Sequence, residues 1–256
     1  MDIKNKVVLL TGGRRIGASV AENLAAQGAM IAFTYRNELG EMNELISKVE
    51  AHGRKCAPGR ERHCKAFKAD VSDEEAVEKL VEDTAKTFGR IDVLINMASI
   101  FKKRPFGTLS GKDWDEELGA NAKSAFLMSQ AVWPHMRAQG QGRIINFADW
   151  ITASGRPNYT REGYDLYYVG KGAVEKFTQS LALRLAQDNI TVNAIAPGPI
   201  LRPPDLTEAE NEEVTKQTPL GRWGGAEEIA KAVNFLIQSD FVTGEVIRVD
   251  GGRHLL

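Results

Sequence analysis

Tyr167 and Lys171 stand four residues apart in FADWITASGRPNYTREGYDLYYVGK, which runs from Phe147 to Lys171. On a helix that spacing puts both side chains on one face, within reach of one ligand. A lysine ammonium beside a phenol lowers the phenol's pKa from ~10 toward neutrality. A tyrosine tuned in this way can give a proton to a developing alkoxide or nitrogen anion. Its neighbours are weaker candidates. Tyr164 meets Tyr168 four residues on, and Tyr168 is three residues from Lys171.

A second set of residues suits a dinucleotide. TGGRRIG (11–17) follows an apolar run and opens a helical pattern. Glycine there lets backbone approach a pyrophosphate, and a helix N-terminus offers it N–H groups. NAD sites usually place an acid at the end of the second strand. Here that turn holds Tyr35, Arg36 and Asn37, while Arg14 and Arg15 lie in the first loop. Guanidiniums grip a 2′-phosphate in bidentate fashion, so NADPH is expected over NADH. The competing expectation makes Glu38 the ribose acid, with the arginines solvated.

These residues need a scaffold. Seven short runs are apolar on both faces: 6–11, 30–35, 65–71, 92–97, 142–147, 191–196 and 244–251. That is the mark of strands covered on both sides. Helical patterns lie at 16–28, 72–88, 112–139, 164–187 and 226–239, the second opened by a capping box of Ser72 and Glu75. Strand and helix in alternation predict one doubly wound parallel sheet with helices on both faces. No linker interrupts it, so residues 1–256 read as a single domain. Two stretches fall outside the layers as loops, 53–64 and 200–218. The second is acidic and proline-flanked, carries a short helix, and could form a lid over a substrate.

Composition excludes several classes. A net charge of -1 gives no pull toward nucleic acid or anionic lipid, and no apolar run is long enough to span a bilayer. The first residues pass straight into a strand without a leader pattern, so a cytoplasmic setting is expected. Cys56 and Cys64, with His63 beside the second, are too few for a zinc site and read as a surface insertion with two thiols. No metal is expected.

Taken in order, TGGRRIG, ADV (69–71), NMAS (96–99), Asn121 in NAKSAF, YYVGK and APGPI (196–200) resemble the short-chain dehydrogenases/reductases over nearly the whole chain. The resemblance implies a Rossmann fold with a seven-stranded parallel sheet, a nicotinamide cofactor and a homotetramer. It implies that Tyr167 is the proton donor, that Lys171 binds the cofactor ribose and that Asn121 anchors a proton-relay water. Gly12, Arg14, Arg15 and Ile16 would belong to the pyrophosphate loop, and Tyr35 and Arg36 to the ribose corner. Asp70 and Val71 match the adenine contact, Asn96, Ala98 and Ser99 the turn against the cofactor, and Pro197, Gly198 and Ile200 its far side.

Most of the family carries a serine two residues past the fifth strand. Counting from the strand end reaches Asp149; counting back from Tyr167 reaches Ser154. Strand ends are fixed by the sheet, while a loop such as ASGRPNYTREG tolerates added residues. Asp149 is therefore preferred. An acid there resembles the pteridine reductase-like subgroup, as do Ser99, Arg15 and Phe101, the last as an aromatic that stacks on a pterin. The leading expectation is an NADPH-dependent reductase of a small pterin-like substrate, with Ser99, Phe101, Asp149 and Tyr167 binding it. A carbonyl reductase of 3-oxoacyl thioesters or another ketone is the alternative and would favour Ser154. A nucleotide-sensing regulator without catalysis is the third. Apolar residues Phe126, Met128, Trp133, Phe177 and Leu181 suggest helix faces that pair with further copies.

Overall fold

The computed structural model describes residues 1–12, 14–36, 40–56, 63–154 and 162–256. Seven parallel strands form one sheet: β1 (Val7–Thr11), β2 (Met30–Tyr35), β3 (Cys64–Lys68), β4 (Val93–Asn96), β5 (Gly142–Phe147), β6 (Ile190–Pro197) and β7 (Val246–Val249). Their order is β3-β2-β1-β4-β5-β6-β7. The winding reverses between β1 and β4, and the crevice beyond their C-terminal ends is where such sheets bind ligands.

Alternation along each strand feeds two cores. Val8 and Leu10 of β1 face a cluster with Val20, Leu24, Leu45, Val49, Ile229 and Val233. These come from α1 (Ile16–Ala26), α2 (Gly40–Cys56) and α9 (Ala226–Gln238). Leu9 faces the other side, with Val77, Leu80, Leu127, Met128, Val132 and Leu185. They belong to α3 (Glu74–Phe88), α5 (Ser124–Ala138) and α7 (Asp165–Leu185). Each such side chain contributes ~1.5–3 kcal/mol by leaving water, so the sheet is the rigid part on which the site rests.

Several expectations need correction. Residues 40–56 form α2, where no helix was expected between the second and third strands. Its buried stripe is narrow, held by Leu45 and Val49, and charged residues mask the period. The expected loop 53–64 therefore shrinks at both ends: Gly53 is helical, and Cys64 begins β3. Cys64 is buried rather than on a surface, and burial pushes its thiol pKa up. Residues 57–62 of that insertion lie outside the described residues. The cap of α3 is Asp73, whose carboxylate accepts from Ala76 N, while the Ser72 hydroxyl turns back to Asp70. Met128 is a core residue rather than part of a free face.

The stretch expected as one helix at 112–139 is broken in two. α4 (Gly111–Leu118) and α5 are joined by a wide π turn, Gly119–Lys123. Such single-turn bulges insert one residue into a helix. Asn121 sits in this turn, and α7 crosses it at Gly170, where an added Cβ would stand 3.1 Å from the Asn121 Cβ. The segment 200–218 does carry a helix, α8 (Glu208–Lys216), opened by a capping box of Thr207 and Glu210.

Candidate active site

β5 ends at Phe147, and two residues later Asp149 starts the short helix α6 (Trp150–Ala153). Its carboxylate is divided between two tasks. Oδ1 accepts from Ile151 N at 2.9 Å and so caps α6. Oδ2 accepts from the Tyr167 hydroxyl at 2.9 Å. The count from the strand end thus reaches the residue that is bonded to Tyr167. Ser154 sits at the far end of α6 and donates to Ile151 O at 2.7 Å, whereas Asp149 lines a cleft together with Gly12 and Arg14.

α7 carries Tyr167 and Lys171 on one face, as their spacing predicts. Lys171 is buried and donates through Nζ to Phe147 O at 2.7 Å. Nζ also lies 5.7 Å from the centroid of the Tyr167 ring. Burial lowers the lysine's pKa to about 8, against the opposing pull of Asp149. Near neutral pH the side chain is thus still mainly an ammonium, held beside the phenol.

Asn121 reaches the site from the π turn. Its Oδ1 accepts from Ile100 N at 3.0 Å, and its Nδ2 donates to Ile100 O at 3.1 Å. Nδ2 also donates to Glu117 Oε1 at 3.1 Å. Arg104 holds the other oxygen of Glu117 at 2.7 Å. The asparagine side chain thereby pins the backbone between Ser99 and Phe101 beside Tyr167.

Phe101 does not present two free faces. Its ring is stacked on Tyr164 at 4.1 Å and meets Tyr167 edge-on at 4.7 Å. At 48% exposure it remains a cleft wall. The expected stack on a flat substrate can use only the face that Tyr164 leaves open.

A cleft of about 380 Å³ joins these residues to the nucleotide loop. Gly12, Arg14, Arg15, Ile16 and Ser99 line it, as do Pro197, Gly198 and Ile200 opposite. Gly12 has φ +75, and an added Cβ would lie 3.0 Å from Ala98 N. Thr11 Oγ1 accepts from Met97 N and Ala98 N, each at 3.1 Å, and locks the two loops together. Arg15 has φ 51, a value natural for glycine. α1 begins there without a side-chain cap. An uncapped helix start at the cleft is a donor set that fits a pyrophosphate.

Other expected residues fall elsewhere. Tyr35, Arg36, Asp70 and Val71 lie beyond this cleft, at the ends of β2 and β3, where Arg36 and Asp70 pair at 3.9 Å. Arg15 turns instead to Arg202 O at 3.5 Å, so these arginines serve different partners. Asn37 and Glu38 lie outside the described residues, as does most of ASGRPNYTREG. Asn96 is buried behind the cleft wall, with Nδ2 bonded to Asn146 Oδ1 at 2.9 Å. It holds β4 to β5.

The cleft also has walls that sequence reasoning missed. Trp150, Ile151, Trp223 and Arg253 line it with Leu201, Leu206 and Val214 from the expected lid segment. Arg253 lies over the Trp150 ring at 5.2 Å and donates to Val214 O at 2.9 Å and Gln217 Oε1 at 2.8 Å. It thus ties the end of α8 to the cleft floor. The one signal for it was the glycine pair 251–252, both with positive φ, which turns the chain back toward the site. Among the described residues there is no cluster able to hold a metal ion, and no helix is long and apolar enough to cross a membrane.

Comparison with known proteins places this geometry among relatives. A family model described as enoyl-(acyl carrier protein) reductase matches residues 12–254. The short-chain reductase protein NovJ of Streptomyces niveus is 37% identical, over 98% of this chain and 94% of its own. The 3-oxoacyl-(acyl-carrier-protein) reductase FabG of Escherichia coli is 32% identical over the full length of both. Among solved structures, a blue fluorescent protein from a metagenomic library, in complex with NADPH, superimposes with a TM-score of 0.86 at 34% identity, covering 99% of each chain.

Proposed function

Because the chain belongs to the short-chain dehydrogenase/reductase family, we propose that it is an NADPH-dependent reductase of a ketone carbonyl in a small substrate. The observation that carries this reading is the set of Tyr167, Lys171 and Asp149 at the mouth of one cleft with the nucleotide loop. A nicotinamide supplies the hydride when bound. Gly12, Arg14, Arg15 and Ile16 would hold its pyrophosphate, Arg36 the 2′-phosphate corner, and Asp70 and Val71 the adenine.

Tyr167 gives the proton. To do so its hydroxyl turns from Asp149 Oδ2 to the substrate oxygen. The Lys171 ammonium favours the phenolate left behind. Asn121 keeps Ser99 and Phe101 in place beside the reacting bond. Asp149, relieved of the phenol proton, accepts from a donor on the substrate. The reading therefore favours substrates with an O–H or N–H group next to the reduced bond.

That same preference supports a second reading, reduction of a pterin-like ring. Asp149 lies in the cleft and Ser154 does not, and a carboxylate suits the amidine-like edge of a pterin. Relatives such as FabG favour the ketone reading. One assay separates them: NADPH oxidation with a 3-oxoacyl thioester, a hydroxyketone, dihydrobiopterin and dihydrofolate in parallel, and NADH as control. Ketone turnover alone supports the first reading, and pterin turnover alone supports the second. No turnover with any substrate would return weight to a nucleotide-sensing regulator.

We also propose a homotetramer. Phe126 and Phe177 meet edge-on at 5.8 Å on one surface, and Phe126 is 45% exposed. A monomeric mass at micromolar concentration would refute it.

A further inference from the structure

Behind Asp149 stands a carboxyl that this chemistry leaves unused. Glu175 lies one helical turn past Lys171 on α7 and two past Tyr167, on the same face. Its Oε1 meets the Thr152 hydroxyl. That hydroxyl also lies 2.9 Å from the backbone carbonyl oxygen of Asp149. A threonine hydroxyl has one proton to donate, so it cannot make full hydrogen bonds to a carboxylate and a carbonyl together. The chain of bonds closes when Glu175 is protonated. The acid then donates to Thr152, and Thr152 donates to the Asp149 carbonyl.

The surroundings agree. Burial is the largest influence on Glu175 and raises its pKa. The Asp149 charge acts in the same direction, while the Thr152 bond, Lys176 and Arg248 oppose it. Lys171, one turn earlier, is committed to Phe147 O. Arg248, from β7, donates to Ala153 O at 2.7 Å.

We propose that Glu175 is a positioning residue of this active site, a neutral acid that fixes Asp149 through Thr152 and thereby aims the Tyr167 hydroxyl. When Glu175 ionises, its proton leaves to solvent. Thr152 then turns its hydroxyl to the new carboxylate, the Asp149 carbonyl keeps only the Ala153 N–H at 3.1 Å as a donor, and a second negative charge stands behind Asp149. The inference rests on the role proposed for Asp149 and Tyr167.

Two measurements test it. The first needs no substrate. The infrared difference between wild type and E175Q is recorded at a pH where ordinary glutamates, with pKa near ~4.3, are ionised. A protonated-carboxyl C=O band present in wild type and lost in E175Q is expected; no such band overturns the proposal. The second is the pH profile of kcat and KM for whichever substrate is reduced. E175A should lower kcat about tenfold, equivalent to ~1.4 kcal/mol, with KM little changed, and E175Q should restore most of the loss. The wild-type kcat should fall as pH rises through the Glu175 titration, and E175Q should lack that limb. An E175Q as impaired as E175A, or one that keeps the limb, overturns the proposal. If neither ketones nor pterins are reduced, the functional reading fails and the infrared result still decides the state of Glu175.

Discussion

The two walls of the cleft are built in different ways. On the α7 wall the polar side chains are bonded to the protein: Tyr167 to Asp149, Asp149 to the start of α6, Lys171 to the end of β5. On the β1–α1 wall the chain offers backbone and two exposed arginines, and α1 starts without a side-chain cap. One wall has its groups oriented before any ligand arrives. The other turns the start of α1, without a side-chain cap, toward the cleft. Chemistry rewards fixed geometry at the reacting atoms, while an anionic ligand can complete an open helix start.

The comparison can be broken most sharply at Tyr167. Y167F should lower kcat by about 10²–10⁴, the usual worth of a general acid, with cofactor Kd unchanged by calorimetry. A parallel loss of cofactor affinity would show that the walls do not divide their work. K171M comes next and should cut turnover while raising stability in a defined pH range. The folded pKa of Lys171 is lowered from 10.5 to about 8. Its contribution to stability is then present above 10.5 and lost as pH falls through about 8. K171M should therefore melt higher than wild type below that window and gain nothing above it; equal melting on both sides would contradict the burial argument.

Asp149 lets the comparison be sharpened, because it joins structure and chemistry in one side chain. D149A should lose the α6 cap, worth ~1 kcal/mol, as well as turnover, whereas D149N should keep more of the cap than of the activity. Thermal melts beside kcat values would separate the two oxygens. The smallest effect belongs to the open wall. R15G should relieve a φ that costs a non-glycine residue ~1 kcal/mol, raise the melting temperature slightly and weaken NADPH more than NADH. Unchanged cofactor preference would remove Arg15 from the 2′-phosphate argument.

The sheet was legible because a strand buried on both faces has almost no polar residue to hide it: Val7–Thr11 and Gly142–Phe147 are buried throughout. α2 was not, because exposed pairs such as Glu44–Lys48 flank the buried Leu45 and Val49. Tyr167 and Lys171 were legible from spacing within one helix, and Asp149 from its distance to a strand end. Arg253 was not, since its bond to Val214 spans 39 residues and no local period encodes it. Phe101 was placed on the right wall, but its stacking on Tyr164 joins two loops that only the fold brings together. Thr152 and Glu175 were missed for the same reason.

The wide turn at Gly119–Lys123 is also a shift of phase. One surplus residue there rotates everything after it by about 100° relative to an unbroken helix. The apolar stripes of α4 and α5 therefore belong to two separate clocks, and only this offset lets Met128 and Val132 strike the core while Asn121 faces Ile100. Removing a single residue from the turn would reset the second clock to the first. The helix would run on unbroken, with its oily side turned toward water.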